Sequence, residues 1–207
     1  MKLYFSAVTC ALSPYIALLE SGLPHELVVV DLKTHTLPDG SDYYAINPFG
    51  YVPVLELDDG RLLNEGVAII QYIADQAPNK QLAPANGTFE RYELQGWLNF
   101  IATDLVKNYD LLFSSKANPE VKQSAVSALN RHYAWIDGIL AKRSFCYGDS
   151  FTIADAYLFT VTGWARLVKL DLSAHTNVQA WLARVAARPA VQTALQAERS
   201  SGATCGA

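Results

Sequence analysis

Three short stretches of the chain hold residue types that could do chemistry. Cys10 stands between a β-type run, Lys2 to Phe5, and a helical pattern that begins at about Leu12. A thiol there faces the unpaired N–H groups and positive dipole end of the helix, and both favour the thiolate, its reactive form. Val52-Pro53 precedes a second β-type run. Its proline cannot donate to a ladder, so it fits a strand start. The same dipeptide could hold a cis bond, since X-Pro is the only common place for one. Free N–H and C=O groups at Val52 would then suit a peptide-like ligand. Glu65-Gly66 opens a later helix. Helix N-termini bind carboxylates through exposed N–H groups, Gly66 lets a ligand approach the backbone, and Glu65 can accept from an ammonium group. Asn64 as a cap, with Glu65 complementing the helix dipole, is the structural reading of the same residues.

The elements that must position these residues follow from periodicity. Leu12, Tyr15, Ile16 and Leu19 recur at helical spacing, and Gly22 stops that helix. Leu27 to Val30 is a continuous apolar run, read as a buried strand. A helix separates it from the first strand, which predicts a parallel pair. Residues 32–50 are turn-rich and end in Asn47-Pro48-Phe49-Gly50. Asp58-Asp59-Gly60, between Pro53–Leu57 and Arg61–Leu63, signals a hairpin. A helix follows over Glu65–Asp75. Two parallel strands, a hairpin and helices on both faces make a thioredoxin-like domain over residues 1–77. Residues 78–88, with their prolines and glycine, read as a linker. Residues 89–207 show no convincing strand and read as all-helical, giving α/β plus all-α as the fold class. Helices are expected over Phe89–Phe113, Pro119–Leu140, Thr152–Val168, Asn177–Ala187 and Ala190–Ala197, followed by a small-residue tail that includes Cys205.

Composition narrows the function. The 207 residues carry a net charge of −4 and no Lys/Arg cluster, which argues against nucleic acid or an anionic membrane as a partner. No apolar run approaches the ~20 residues a membrane span needs. The N-terminus lacks the pattern of a signal peptide, so cytoplasmic residence is expected. Cys10, Cys146 and Cys205 form no CxxC, and an odd, sparse set fits a reducing compartment. With one thiol at the first helix, an intramolecular disulfide cycle is excluded there, whereas a mixed disulfide with an external thiol is not. His25, His35, His132 and His175 are too scattered for a metal motif.

Together, Cys10, Asn47-Pro48, Val52-Pro53, Glu65-Gly66-Val67-Ala68-Ile69 and Phe151-Thr152-Ile153-Ala154-Asp155-Ala156 resemble the glutathione transferases. Cys10 is similar to the cysteine of their bacterial beta class. The resemblance runs to about Glu198 and implies roles residue by residue. Cys10 would lie beside the glutathione sulfur. Val52 would pair through its backbone with the cysteinyl part, with Pro53 setting that backbone. Glu65 and Gly66 would bind the γ-glutamyl end. His35 falls where the family often has a lysine for the glycyl carboxylate, and a neutral imidazole is the weaker partner. Asn99, Thr103, Asp104, Val106 and Lys107 match positions of the helical domain that reach the ligand, Asp104 that of the neighbouring subunit in a homodimer. Val106 stands where the beta class usually has histidine, and valine cannot donate to a thiolate or shuttle a proton.

The resemblance implies an enzyme that conjugates the glutathione thiol to a small hydrophobic electrophile, with glutathione as co-substrate and no other cofactor. The electrophile is expected near Val106, Tyr109 and Phe113. Glutathione-dependent thiol–disulfide exchange through Cys10 and a non-catalytic scaffold are the alternatives. Thr152 and Asp155 read as a capping box, a folding role. Trp97, Trp164, Tyr157 and Tyr4 read as core.

Overall fold

A computed structural model describes residues 1–201. They form two compact units, one of residues 1–83 with the helix that begins at Pro189, the other Pro84–Arg188.

The first unit is thioredoxin-like. Strands β1 (Lys2–Phe5), β2 (Glu26–Val29), β3 (Val54–Glu56) and β4 (Leu62–Asn64) form one sheet in the order β2-β1-β3-β4. β1 and β2 are parallel, pairing Phe5 with Val29, and helix α1 (Leu12–Ser21) is the crossover. Gly22 ends α1, its N–H on the Leu18 carbonyl at 3.1 Å. β3 and β4 form the expected hairpin, with Leu57 and Arg61 closing the Asp58-Asp59-Gly60 turn.

Alternation along β1 divides the core. Leu3 and Phe5 are fully buried, and Phe5 meets Tyr15 of α1 edge-on at 5.9 Å. Helix α2 (Gly66–Gln76) packs beside α1 and buries Ile69, Ile70 and Ile73 completely. Each such side chain contributes ~1.5–3 kcal/mol of transfer free energy. Tyr4 points the other way, into a cluster with Val30, Tyr43 and Val54. That face was expected to carry a helix. It carries instead a loop with one 3₁₀ turn, Tyr43–Ala45, because residues 32–50 are too rich in turn formers to propagate a helix.

The second unit is all-helical. Helix α3 (Phe89–Phe100) leads into a six-residue π-helical segment, Ile101–Val106, and then α4 (Lys107–Phe113). One uninterrupted helix was expected here; apolar periodicity records which face is buried, not whether each N–H bonds four or five residues back. Helices α5 (Pro119–Leu140), α6 (Ile153–Gly163) and α7 (Thr176–Ala186) complete the unit. A 3₁₀ turn, Trp164–Arg166, replaces the expected end of α6. A buried hydroxyl chain links three helices: Tyr109 and Tyr133 lie 2.9 Å apart, and Tyr133 reaches Thr162 at 3.2 Å.

Helix α8 (Pro189–Ser200) corrects the expected domain boundary. It packs along α1, buries Val191 and Ala194, and belongs to the first unit, not to the helical one. Its amphipathic stripe shows that it needs a partner without showing which. Cys205 lies outside the described residues.

Candidate functional site

The topology brings the first unit's chemical residues to one end of the sheet. β1 and β2 are parallel, so their C-terminal ends lead together into the Cys10 and His35 loops. β3 runs antiparallel to β1, with Tyr4 opposite Val54, so the chain enters β3 through Val52-Pro53 at that same end. β4 returns antiparallel to β3, with Asn64 opposite Val54, and delivers Glu65 there as well.

Each loop is held by identifiable contacts. The Val52–Pro53 bond is cis. Just before it, the carbonyl of Tyr51 accepts from Asn47 Nδ2 and from the Tyr43 hydroxyl, both at 2.8 Å. The buried Asn47 also accepts from the N–H of Phe49, which explains the Asn47-Pro48 motif: it builds the turn that aims Val52. Burial pushes the Tyr43 hydroxyl up to about 12, so it stays a donor. Among the described residues no hydrogen bond engages the N–H or C=O of Val52.

Asn64 is not a cap. It is consumed by the β4 ladder, and Glu65 itself occupies the N-cap position with φ 69° and ψ 111°. Among the described residues no side chain caps the helix; its first internal bond runs from Ile69 N–H to the Glu65 carbonyl at 2.9 Å. The first turn of α2 thus presents N–H groups with a positive dipole end, and an exposed carboxylate stands beside them. A non-glycine residue at positive φ costs about 1–3 kcal/mol and persists where its surroundings hold it. Gly66 lies against Pro53: a Cβ there would stand 3.6 Å from Pro53 Cγ, so the two motifs are neighbours.

Cys10 is half-buried in the turn before α1. Its carbonyl accepts from the N–H and hydroxyl of Ser13 at 3.2 and 3.0 Å. Thr9 donates to the Ser6 carbonyl and accepts from Ala11 N–H, pinning the turn. Val8 has φ 62°, and its N–H is held at 2.8 Å by Glu198 of α8. Glu198 escaped the sequence reading because 190 residues separate it from its partner. Burial raises its carboxyl above the usual glutamate range.

His35 also has positive φ, 53°, and its ring lies 4.5 Å from that of Tyr44. Its Nδ1 is buried with no hydrogen-bond partner among the described residues. A cavity of about 590 Å³ adjoins these loops, bounded by Ser6, Ala7, Val30, Leu32, Leu37 and Ser201.

The helical unit's five candidate residues straddle its π segment. Asn99 and Lys107 flank it; Thr103, Asp104 and Val106 lie on it. The Thr103 hydroxyl reaches the Asn99 carbonyl at 3.0 Å and Asp104 Oδ2 at 2.7 Å. Lys107 Nζ stands 3.9 Å from Asp110. His132 of α5, which the sequence left unassigned, lies 4.0 Å from Asp104. Of the three residues expected around an electrophile, Val106 and Phe113 are accessible but Tyr109 is fully buried, its hydroxyl satisfied by Tyr133. Tyr4 is core as expected, its hydroxyl on Glu56 at 2.6 Å, and Trp97, Trp164 and Tyr157 are buried. Asp155 accepts from the N–H groups of Thr152 and Cys146 and from Trp181 Nε1, a folding role.

Comparison with known proteins matches residues 9–76 to the glutathione S-transferase N-terminal domain and residues 116–184 to its C-terminal domain. Glutathione S-transferase GstA of Escherichia coli O157:H7 is 45% identical over 96% of this chain and 98% of its own. A sphingomonad glutathione S-transferase solved in complex with glutathione is 41% identical, with a TM-score of 0.92 over 96% of this chain and 99% of its own. The bacterial beta class enzyme of Sphingomonas chungbukensis is 42% identical, with a TM-score of 0.90 over 96% and 98%.

Proposed function

The chain belongs to the glutathione S-transferase family, and we propose that it conjugates the thiol of glutathione to small hydrophobic electrophiles. The observation that carries this reading is the convergence, at one end of the sheet, of Cys10, the cis Val52–Pro53 bond and the uncapped start of α2 at Glu65-Gly66. These offer a tripeptide what it needs: backbone groups at Val52 for its cysteinyl peptide unit, helix N–H groups for its α-carboxylate and the Glu65 carboxylate for its ammonium group. His35 takes the glycyl carboxylate. The glutathione complex of the sphingomonad relative supports the choice of tripeptide.

In the reaction the glutathione sulfur, as thiolate, attacks an electrophilic carbon. A C–S bond forms, and a leaving group such as halide departs with the bonding electron pair. Cys10 stands beside that sulfur as a positioning group, and the rate gain comes from alignment and a stabilised glutathione thiolate. Family analogy adds Asn99, Thr103, Asp104 and Lys107 of the helical unit as ligand contacts and a homodimer as the working form, in the cytoplasm.

The test is conjugation of glutathione to 1-chloro-2,4-dinitrobenzene, with glutathione affinity measured separately by calorimetry. Wild type should conjugate above the uncatalysed rate. Cys10→Ala should lose about tenfold or more in kcat, and Glu65→Ala should raise the Kd for glutathione by a similar factor. A wild type that binds no glutathione at millimolar concentration refutes the site.

A further inference from the structure

We infer that Glu198, on the C-terminal helix, is a positioning residue for Cys10: its carboxylate holds the N–H of Val8 and so keeps the β1–α1 loop in the shape that presents the thiol. The inference rests on the role proposed for Cys10 and adds the element that orients it.

Four observations carry it. The bond is short, 2.8 Å from Val8 N to Glu198 Oε1, and links residues 190 apart. Val8 has φ 62°, a genuine outlier for a β-branched residue, so the loop would not keep this shape unaided. The carboxylate is half-buried, where a charge-assisted bond is stronger than in water. And α8 is no loose appendage: it packs along α1, the helix whose first turn follows Cys10, with Val191 and Ala194 buried.

Val8 is two residues from Cys10, and the intervening Thr9 is tied to Ser6 and Ala11. A change in φ at Val8 therefore carries the Thr9 turn with it and redirects the thiol against α1. The same helix end contributes Ser201, which bounds the cavity beside Ser6 and Ala7 and whose hydroxyl donates to the Glu198 carbonyl at 2.9 Å. The C-terminal helix thus shapes the site without contributing a reacting group.

The test compares Glu198→Gln, Glu198→Ala, Val8→Gly and the Val8→Gly/Glu198→Ala double variant. Three quantities are read: kcat and KM for glutathione conjugation, the site-resolved alkylation rate of Cys10 by iodoacetamide across pH, and amide exchange of the loop. Glutamine keeps an acceptor and should stay within about threefold of wild type. Alanine should lower kcat about tenfold, change the alkylation profile of Cys10 and speed loop exchange, with a smaller effect on KM. Glycine adopts positive φ at no steric cost, so the alanine substitution should cost much less in the Val8→Gly background. If Glu198→Ala does not fold, Val8→Gly should restore folding. An equal loss in both backgrounds, no rescue, or unchanged Cys10 alkylation in a folded Glu198→Ala protein overturns the inference. Alkylation and exchange report on the loop even if wild type conjugates nothing, a result that would refute the proposed activity instead.

Discussion

Gly50→Ala tests whether His35 serves the glutathione site. Gly50 sits at φ 70°, and a Cβ built there would stand 2.8 Å from His35 Cε1, His35 Nδ1 and Tyr44 Cε1. Holding alanine in the left-handed region costs about 1–2 kcal/mol, and the overpacking adds about 1–3 kcal/mol, for roughly 2–5 kcal/mol in all. A domain of ordinary stability, about 5–15 kcal/mol, survives that loss. The cheaper escape is for the His35 ring to swing away, since it can turn about its side-chain torsions whereas the methyl is fixed to the backbone. Losing the proposed bond to the glycyl carboxylate, ~1.5 kcal/mol for a contact with a charged group, should raise KM for glutathione about tenfold. The contact is the same in ground and transition states, so kcat at saturating glutathione should hold. Gly60→Ala is the control. Gly60 has φ 83° but nothing within 4 Å of a built Cβ, so it has the backbone cost without the collision. Urea unfolding gives the stability change and steady-state kinetics the KM. An unchanged KM in a destabilised Gly50→Ala protein, or an equal rise in Gly60→Ala, would refute the role given to His35.

Four further outcomes are expected. Asp155→Ala removes an acceptor shared by Thr152, Cys146 and Trp181, all buried, and should cost about 3–5 kcal/mol in urea unfolding; a loss under ~1 kcal/mol would contradict the accounting. Glu65→Gly relieves positive φ and should stabilise the fold by about 1 kcal/mol while weakening glutathione binding, read by thermal unfolding and calorimetry on the same sample. Val106→His restores a donor and proton carrier and should raise conjugation; no gain would mean that proton handling does not limit this enzyme. The Tyr4 hydroxyl, with help from Lys2, holds the Glu56 carboxyl below its usual range, so this contribution is fully present above the unfolded value of 4.5 and lost as pH falls through the folded one. The gap in Tm between wild type and Tyr4→Phe should therefore be constant near neutrality and close below that pH, and a gap that widens in acid would reverse the assignment.

How much of this was legible depended on whether the interaction was local. The parallel pair, the Asp-Gly hairpin and the Thr152–Asp155 box are written in periodicity or in residues a few positions apart, and all three are present. The convergence of Cys10, Val52-Pro53 and Glu65 follows once strand directions are known, because parallel and antiparallel pairing decide which ends meet. Three features were hidden for distinct reasons. Asn64 looked like a cap because asparagine is a good one, but tertiary pairing with Val54 outcompeted that preference. The π segment was invisible because apolar spacing shows which face is buried, not whether each N–H bonds four or five residues back. The partner of α8 was invisible because an amphipathic helix carries no address. That last gap matters most for function. The residue that holds the Cys10 loop lies on the very helix whose partner the sequence could not name. A reading confined to the first 77 residues therefore finds Cys10 and misses the carboxylate that bonds its loop.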